Sequence, residues 1–189
     1  MSGDPYVYPG THILINKQDI RDADMLDLAE RRFSTIRTRQ GIPTGDFDLR
    51  HLKAIHFHLF QDIYDWAGQI RTVEISKGES QFQFWQYIDT GMADVHHRLA
   101  KTNFLRGLDR STFATEAAAI IGDVNYVHPF REGNGRTQLQ YLKLLAEQAG
   151  HDLALTKIAP AAWLEASREA HRAHYALMAQ VIDDALHPD

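Results

Sequence analysis

A nearly all-α fold with one small β-hairpin is what this sequence predicts. Three observations lead there. Apolar residues recur at spacings of three and four along almost the whole chain. Glycine or proline punctuates the ends of several of these stripes. Only one stretch, Ile70 to Ile75, alternates apolar and polar residues as a strand does.

The opening segment carries Pro5, Pro9 and Gly10 and reads as an extended arm, with Tyr6, Val7 and Tyr8 packing onto the body. The first stripe is Ile20, Ala23, Leu26, Ala29, Phe33 and Ile36, stopped by Gly41. Asp22, Asp24 and Asp27 fall on its solvated face. The second is Leu49, Leu52, Ile55, Leu59, Ile63 and Trp66, ending at Gly68. The alternating run follows, and Lys77-Gly78-Glu79-Ser80 turns it back as a hairpin. A lone hairpin is marginal in water, so it must lie on the helices. Trp85, Ile88, Met92, Val95 and Leu99 form the third stripe. Phe113, Ala117, Ile120, Val124 and Val127 form the fourth, with Ser111 as N-cap. The fifth opens near Asn134, carries Leu139, Leu142, Leu145 and Ala149, and stops at Gly150. The sixth is a single helix from Pro160, through Trp163, Ser167, Ala170, Leu177 and Val181 to Ala185.

The bulk numbers narrow the function. At 189 residues one domain is the default, and 44% hydrophobic content fills an ordinary core. Cysteine is absent, which excludes disulfides and thiolate catalysis. The formal charge of −5 argues against direct nucleic-acid binding. No apolar run is long enough to span a membrane. Met1 to Gly10 has neither the basic nor the apolar region of a secretory signal, so a cytoplasmic location is expected. The eleven histidines do not suggest a zinc site: His56/His58 and His96/His97 diverge on a helix, and His171/His174 lack further ligands.

The chemistry concentrates in His128-Pro129-Phe130-Arg131-Glu132-Gly133-Asn134-Gly135-Arg136-Thr137-Gln138. A Gly-Asn-Gly turn ahead of a helix lets backbone N–H groups converge on an anion. The helix start adds unpaired donors and the positive end of its dipole. Arg136 brings a guanidinium fork suited to phosphate. Glu132, a carboxylate beside an anion nest, makes sense as a Mg²⁺ ligand. His128 suits proton removal from a hydroxyl near neutral pH. Each part has a plain structural alternative: a tight turn, a packed histidine, a surface Glu132–Arg136 pair. Order and spacing together favour the site. P-loop, nucleophile-elbow and zinc-protease motifs are absent.

These residues resemble the signature of the Fic family, His-x-Phe-x-(Asp/Glu)-Gly-Asn-Gly-Arg-x-x-Arg, whose first nine positions match without a gap. The resemblance runs from about residue 4 to residue 163. Asp4 to Gly10, Asp65 to Arg71, and Lys77-Gly78 before Phe82 are similar to small bacterial FicT-type toxins. It implies an all-α Fic fold with a hairpin flap over the site: a single domain over 1–189, with an arm at 1–18, the flap at about 70–80 and the motif at 128–139. It implies transfer of AMP from ATP, with Mg²⁺, to a hydroxyl of a target protein. By the same resemblance His128 is the base, Glu132 holds Mg²⁺, and Phe130 anchors the loop in the core. Gly133, Asn134 and Gly135 form the anion hole, with the Asn134 side chain at the α-phosphate. Arg136 clamps phosphate, and Lys77 and Gly78 join the nucleotide-binding set. Thr72, Val73, Glu74 and Ile75 form the flap edge that docks an extended target segment.

Leu139 departs from the signature, because the family has its second Arg there, facing the outer phosphate. Leucine at this position resembles the Doc-type kinases, which transfer the γ-phosphate. Those carry Ala and Lys where this chain has Gly133 and Gly135, so AMP transfer stays ahead. A catalytically impaired binding module is the rival of another class. The family's inhibitory motif is missing apart from Thr112 and Glu116, which are followed by Ala117. The resemblance therefore points to a separate small antitoxin, and to the ATPase subunits of DNA gyrase and topoisomerase IV as targets.

Overall fold

The computed structural model describes residues 4–78 and 80–187. Met1 to Gly3 of the expected arm and Glu79 of the expected turn lie outside them. Among the described residues the fold is seven α-helices and one two-stranded antiparallel hairpin.

Aspartates set three of the helix starts. Helix α1 (Ala23–Arg39) begins where the Asp22 carboxylate accepts the Met25 N–H at 2.9 Å. The first stripe had begun at Ile20, but Ile20 precedes the helix and donates its N–H to the Asn16 side chain. Helix α2 (Leu49–Phe60) is capped in the same way by Asp48. It stops at Phe60 rather than Gly68. Ile63 and Trp66 lie in turns beyond it, and Ile63 is still wholly buried. A short 3₁₀ turn (Trp85–Tyr87) leads into α3 (Ile88–Lys101). Helix α4 (Arg110–Val127) is capped by Asp109, not Ser111: the carboxylate accepts from both the N–H and the hydroxyl of Thr112. Thr112 and Glu116 are thus part of this helix. Helix α5 (Asn134–Ala149) ends at Gly150, whose φ of 98° is the left-handed value that suits glycine.

The expected sixth helix is two, α6 (Pro160–His171) and α7 (Ala176–Ala185). The break sits at Ala173, with φ 61°. No glycine or proline marks it. Its cause is tertiary: the Tyr175 hydroxyl donates to Asp123 of α4 at 2.7 Å. The Tyr175 ring lies so close to Gly122 that an added Cβ there would come within 2.5 Å of it.

Helix α4 is the axis of the core. It packs against α3, α5, α6 and α7, while α2 bridges α1 and α5. The buried residues of α4 are mostly alanine and β-branched, and Phe113, Ala117, Ala118, Ile121 and Val124 are wholly buried. This packing fixes the end of α4 and the start of α5, and the motif loop joins the two.

The hairpin is displaced from its expected position. Ile70 to Ile75 is irregular. The ladder is β1 (Ser76–Lys77) against β2 (Ser80–Gln81), with Ser76 opposite Gln81 and Lys77 opposite Ser80. Arg71 is the reason. Alternation had placed it toward solvent, yet it is fully buried. Its guanidinium bonds the carbonyl of its own neighbour Val73 at 2.8 Å, which curls the segment and breaks strand geometry.

Candidate active site

The site is built where α4 ends. Val127 closes the helix, and His128 takes a left-handed conformation (φ 48°, ψ 64°) that turns the chain out. The His128 Nδ1 lies 3.1 Å from the Asn125 carbonyl oxygen. A carbonyl only accepts, so Nδ1 carries the proton and Nε2 keeps its lone pair. The ring stacks on Phe82, which follows β2, at 3.7 Å between centroids. Burial pushes the imidazole pKa down to about 3, against the Asn125 contact, and the charges of Arg71, Lys77 and His171 add to the lowering. The ring is therefore neutral at physiological pH.

The loop that follows braces itself. Phe130 is wholly buried. Asn134 is buried too, and both ends of its side chain bond Phe130: Oδ1 accepts the N–H at 3.0 Å and Nδ2 donates to the carbonyl at 2.7 Å. The Asn134 side chain thus closes the loop through Oδ1 and one of its two Nδ2 protons. Gly133 caps α5 with φ 82° and lies against Phe60 of α2, where a Cβ would come within 2.5 Å of the ring. Only glycine fits there on both counts. Gly135 is exposed, with nothing within 4 Å of an added Cβ. Among the described residues no hydrogen-bond partner engages the backbone N–H of Asn134, Gly135 or Arg136. Three backbone donors are thus unpaired at a helix start where Gly135 is exposed.

Glu132 is exposed, and one carboxylate oxygen accepts the Gly133 N–H at 2.8 Å. Among the described residues no three acidic or histidine side chains converge as a metal cage. A single carboxylate suits a hard cation that takes its other ligands from phosphate and water. Arg136 lies 3.7 Å from Glu132, so the expected pair exists, but its main partner is the buried Glu30 of α1. Its guanidinium also sits 4.7 Å above the Phe60 ring. Leu139 is partly buried against the core, three residues after Arg136 on the same helix face.

The flap residues fall beside this loop. Lys77 of β1 is close enough to His128 to bear on its charge. Gly78 is at the tip with φ 60°. Thr72 donates its N–H to the Tyr6 hydroxyl at 3.2 Å, so the N-terminal segment already holds part of the expected docking edge. The Val73 carbonyl is taken by Arg71 and the Ile75 carbonyl by Phe82 and Gln81. Glu74 accepts the Trp85 N–H at 3.3 Å.

Four residues matter here that sequence reasoning did not assign to the site. Arg71 bonds the His128 carbonyl through Nε at 2.9 Å and the Val127 and Gln83 carbonyls through Nη2, and its N–H meets the Pro129 carbonyl. It ties the segment after α2 to His128. His56 of α2, wholly buried, accepts the Gly68 N–H on Nδ1 and donates from Nε2 to the Glu132 carbonyl at 2.9 Å. Phe82 covers the imidazole, and Glu30 holds Arg136. An arginine among strand-like residues and a histidine in an apolar helix were the available signals. Neither reveals a partner so distant in sequence.

The family model for the Fic/DOC family matches residues 46–146. A probable protein adenylyltransferase, y4lH of Sinorhizobium fredii, is 42% identical over 164 residues, covering 86% of this chain and 85% of the relative. The protein adenylyltransferase VbhT of Bartonella schoenbuchensis is 37% identical across 96% of this chain, which spans only 38% of VbhT. The structure of a VirB-translocated effector, BepC of Bartonella tribocorum with bound AMPPNP, superposes with a TM-score of 0.88 at 27% identity, covering 97% of each chain. No helix among the described residues is long and apolar enough to cross a membrane.

Proposed function

This chain belongs to the Fic/DOC family, and from that premise we propose that it transfers AMP from ATP to a hydroxyl side chain of a target protein. The observation that carries this reading is the pairing of His128 with the helix start. Asn125 commits the His128 proton to Nδ1 and leaves Nε2 without a partner, and the loop that follows leads to three unbonded N–H groups of α5. A general base and an anion cradle are what an attack on phosphorus by an alcohol requires.

In this reading the α-phosphate rests on the N–H groups of Asn134, Gly135 and Arg136. The target hydroxyl oxygen attacks the α-phosphorus in line, its proton passes to His128 Nε2, and pyrophosphate leaves. Phosphate at the cradle adds negative charge near the imidazole, which raises its pKa toward a useful base. Glu132 would hold Mg²⁺, which would supply charge neutralisation for the phosphates. Lys77 and Gly78 lie over the nucleotide, and the Thr72–Ile75 edge offers the target what Tyr6, Arg71 and Phe82 leave free. The nucleotide bound to the BepC neighbour supports a nucleotide here.

The kinase alternative draws on Leu139 but meets an obstacle at Gly133. The alanine of that pattern has no room against Phe60. The reading extends to a toxin acting on the ATPase subunits of gyrase or topoisomerase IV and restrained by a small antitoxin, on the strength of the FicT-like segments.

The test uses α-labelled and γ-labelled ATP with Mg²⁺ and the gyrase ATPase subunit. Label transferred from the α position, and lost in His128→Ala, is the expected result. Transfer of γ-label alone establishes the kinase instead. No transfer in either the native chain or Leu139→Arg leaves a binding scaffold.

A further inference from the structure

Arg136 does not stand free at the cradle. Glu30 reaches it from α1, more than a hundred residues away in sequence, and is itself buried. One carboxylate oxygen takes Arg136 Nη2 and the other takes the Tyr64 hydroxyl. Burial, with the Glu30 charge beside it, raises the Tyr64 pKa and keeps its hydroxyl a donor. The guanidinium is stacked over Phe60, the ring against which Gly133 also lies. It is thus held beside the glycine of the cradle by a carboxylate on one side and an aromatic face on another. Arg136 Nη1 is buried and has no hydrogen-bond partner. Arg131 of the same loop is engaged elsewhere, by Asp4 at 2.7 Å, and position 139 carries leucine. Arg136 is therefore the one guanidinium of the motif left for phosphate.

We infer that Glu30 is a positioning residue for the phosphate chain: it fixes Arg136 through Nη2 and so holds the partly exposed guanidinium at the start of α5 for a phosphate oxygen, and Tyr64 in turn fixes Glu30. An arginine side chain free to rotate would lose much of its binding advantage to the entropy of being ordered. A carboxylate that orders it beforehand removes that loss. This inference rests on the proposed use of ATP and assigns the residue that sets the grip on its phosphates.

The experiment measures the Kd of Mg²⁺-ATP by calorimetry, and the inhibition constant of adenosine against it, for the full chain and for Glu30→Gln and Tyr64→Phe. Glu30→Gln keeps the shape of the side chain while removing its charge and one of its two acceptor oxygens. It is expected to weaken ATP on the order of tenfold, the scale of one charge-assisted hydrogen bond. Adenosine, which has no phosphate, stays within about twofold. Tyr64→Phe shifts ATP the same way by a smaller factor, and it carries the test if Glu30→Gln does not fold. Equal weakening of ATP and adenosine means that Glu30 only supports the fold, and unchanged or tighter ATP binding also overturns the inference. A native chain that binds no nucleotide sinks the functional reading itself.

Discussion

His56 makes the fold acid-sensitive from about pH 6.5 downward, starting above the range where ordinary carboxylates titrate. It is wholly buried and stacks on Phe130 at 3.9 Å between centroids. Burial lowers its pKa from 6.5 to about 3, with the Arg136 charge lowering it further and the Glu132 carbonyl contact opposing. Between those two values the unfolded chain binds a proton that the folded chain refuses. Stability is therefore full above pH 6.5 and falls as the pH drops toward 3. From pH 8 to pH 5 the loss through this one residue is about 2 kcal/mol, at about 1.4 kcal/mol per unit below 6.5. His128 and His171 shift in the same direction, so a variant must isolate His56. His56→Phe preserves the stacking and removes the titration. It leaves the Gly68 N–H and the Glu132 carbonyl without their partner, at a cost of about 1–3 kcal/mol each, independent of pH. Urea unfolding followed by far-UV circular dichroism at pH 8, 7, 6 and 5 gives both terms. The variant should start lower at pH 8 and lose about 2 kcal/mol less on the way to pH 5. Parallel curves for the two proteins, or a His56 ring proton titrating near 6.5 by NMR, refute the reasoning.

The two glycines flanking Asn134 should respond oppositely to alanine. Gly133→Ala forces a Cβ to within 2.5 Å of Phe60 at φ 82° and is expected to cost about 2–4 kcal/mol in urea unfolding, whereas Gly135→Ala stays within about 0.5 kcal/mol; equal costs would contradict the packing. Leu139→Arg adds a second guanidinium one helical turn from Arg136, and is expected to tighten Mg²⁺-ATP about tenfold or more by calorimetry. Unchanged affinity would mean that this face of α5 does not meet the outer phosphates.

Local signals were legible in the sequence and long-range ones were not. The apolar stripes of α2, α3, α4 and α5 match buried faces because helical period and burial are the same fact. The motif was readable because its parts lie within nine residues and one loop holds them. Helix ends were read less well. Asp109 was passed over for Ser111, although both are good caps, because the choice depends on the angle at which the chain enters. The α6–α7 break depends on where Tyr175 finds Asp123 and Gly122. Arg71 looked like the outward face of a strand because alternation cannot distinguish a solvated cation from one that collects four carbonyls. Glu30 sat unremarked in a helix whose opposite face is charged. Its partner is set by how α1 packs beside α2, which no local pattern encodes.

In the proposed reading, the loop's selectivity for anions follows from where its carbonyls go. The oxygens of His128 and Pro129 accept from Arg71, and that of Phe130 accepts from Asn134. The Glu132 oxygen accepts from His56, and the Gly133 oxygen from the hydroxyl and N–H of Thr137. Each of these acceptors is drawn inward by a buried or half-buried donor. The N–H groups of Asn134, Gly135 and Arg136 find no such partner. With these five carbonyls held by donors and these three N–H groups free, the loop would present a fixed field to an arriving phosphate, without a reorganisation cost at binding. That is why residues with no direct role in chemistry, His56 and Arg71 above all, matter to it. Removing either returns a carbonyl to the loop unpaired, free to turn toward the cradle and repel the charge the cradle is shaped to hold.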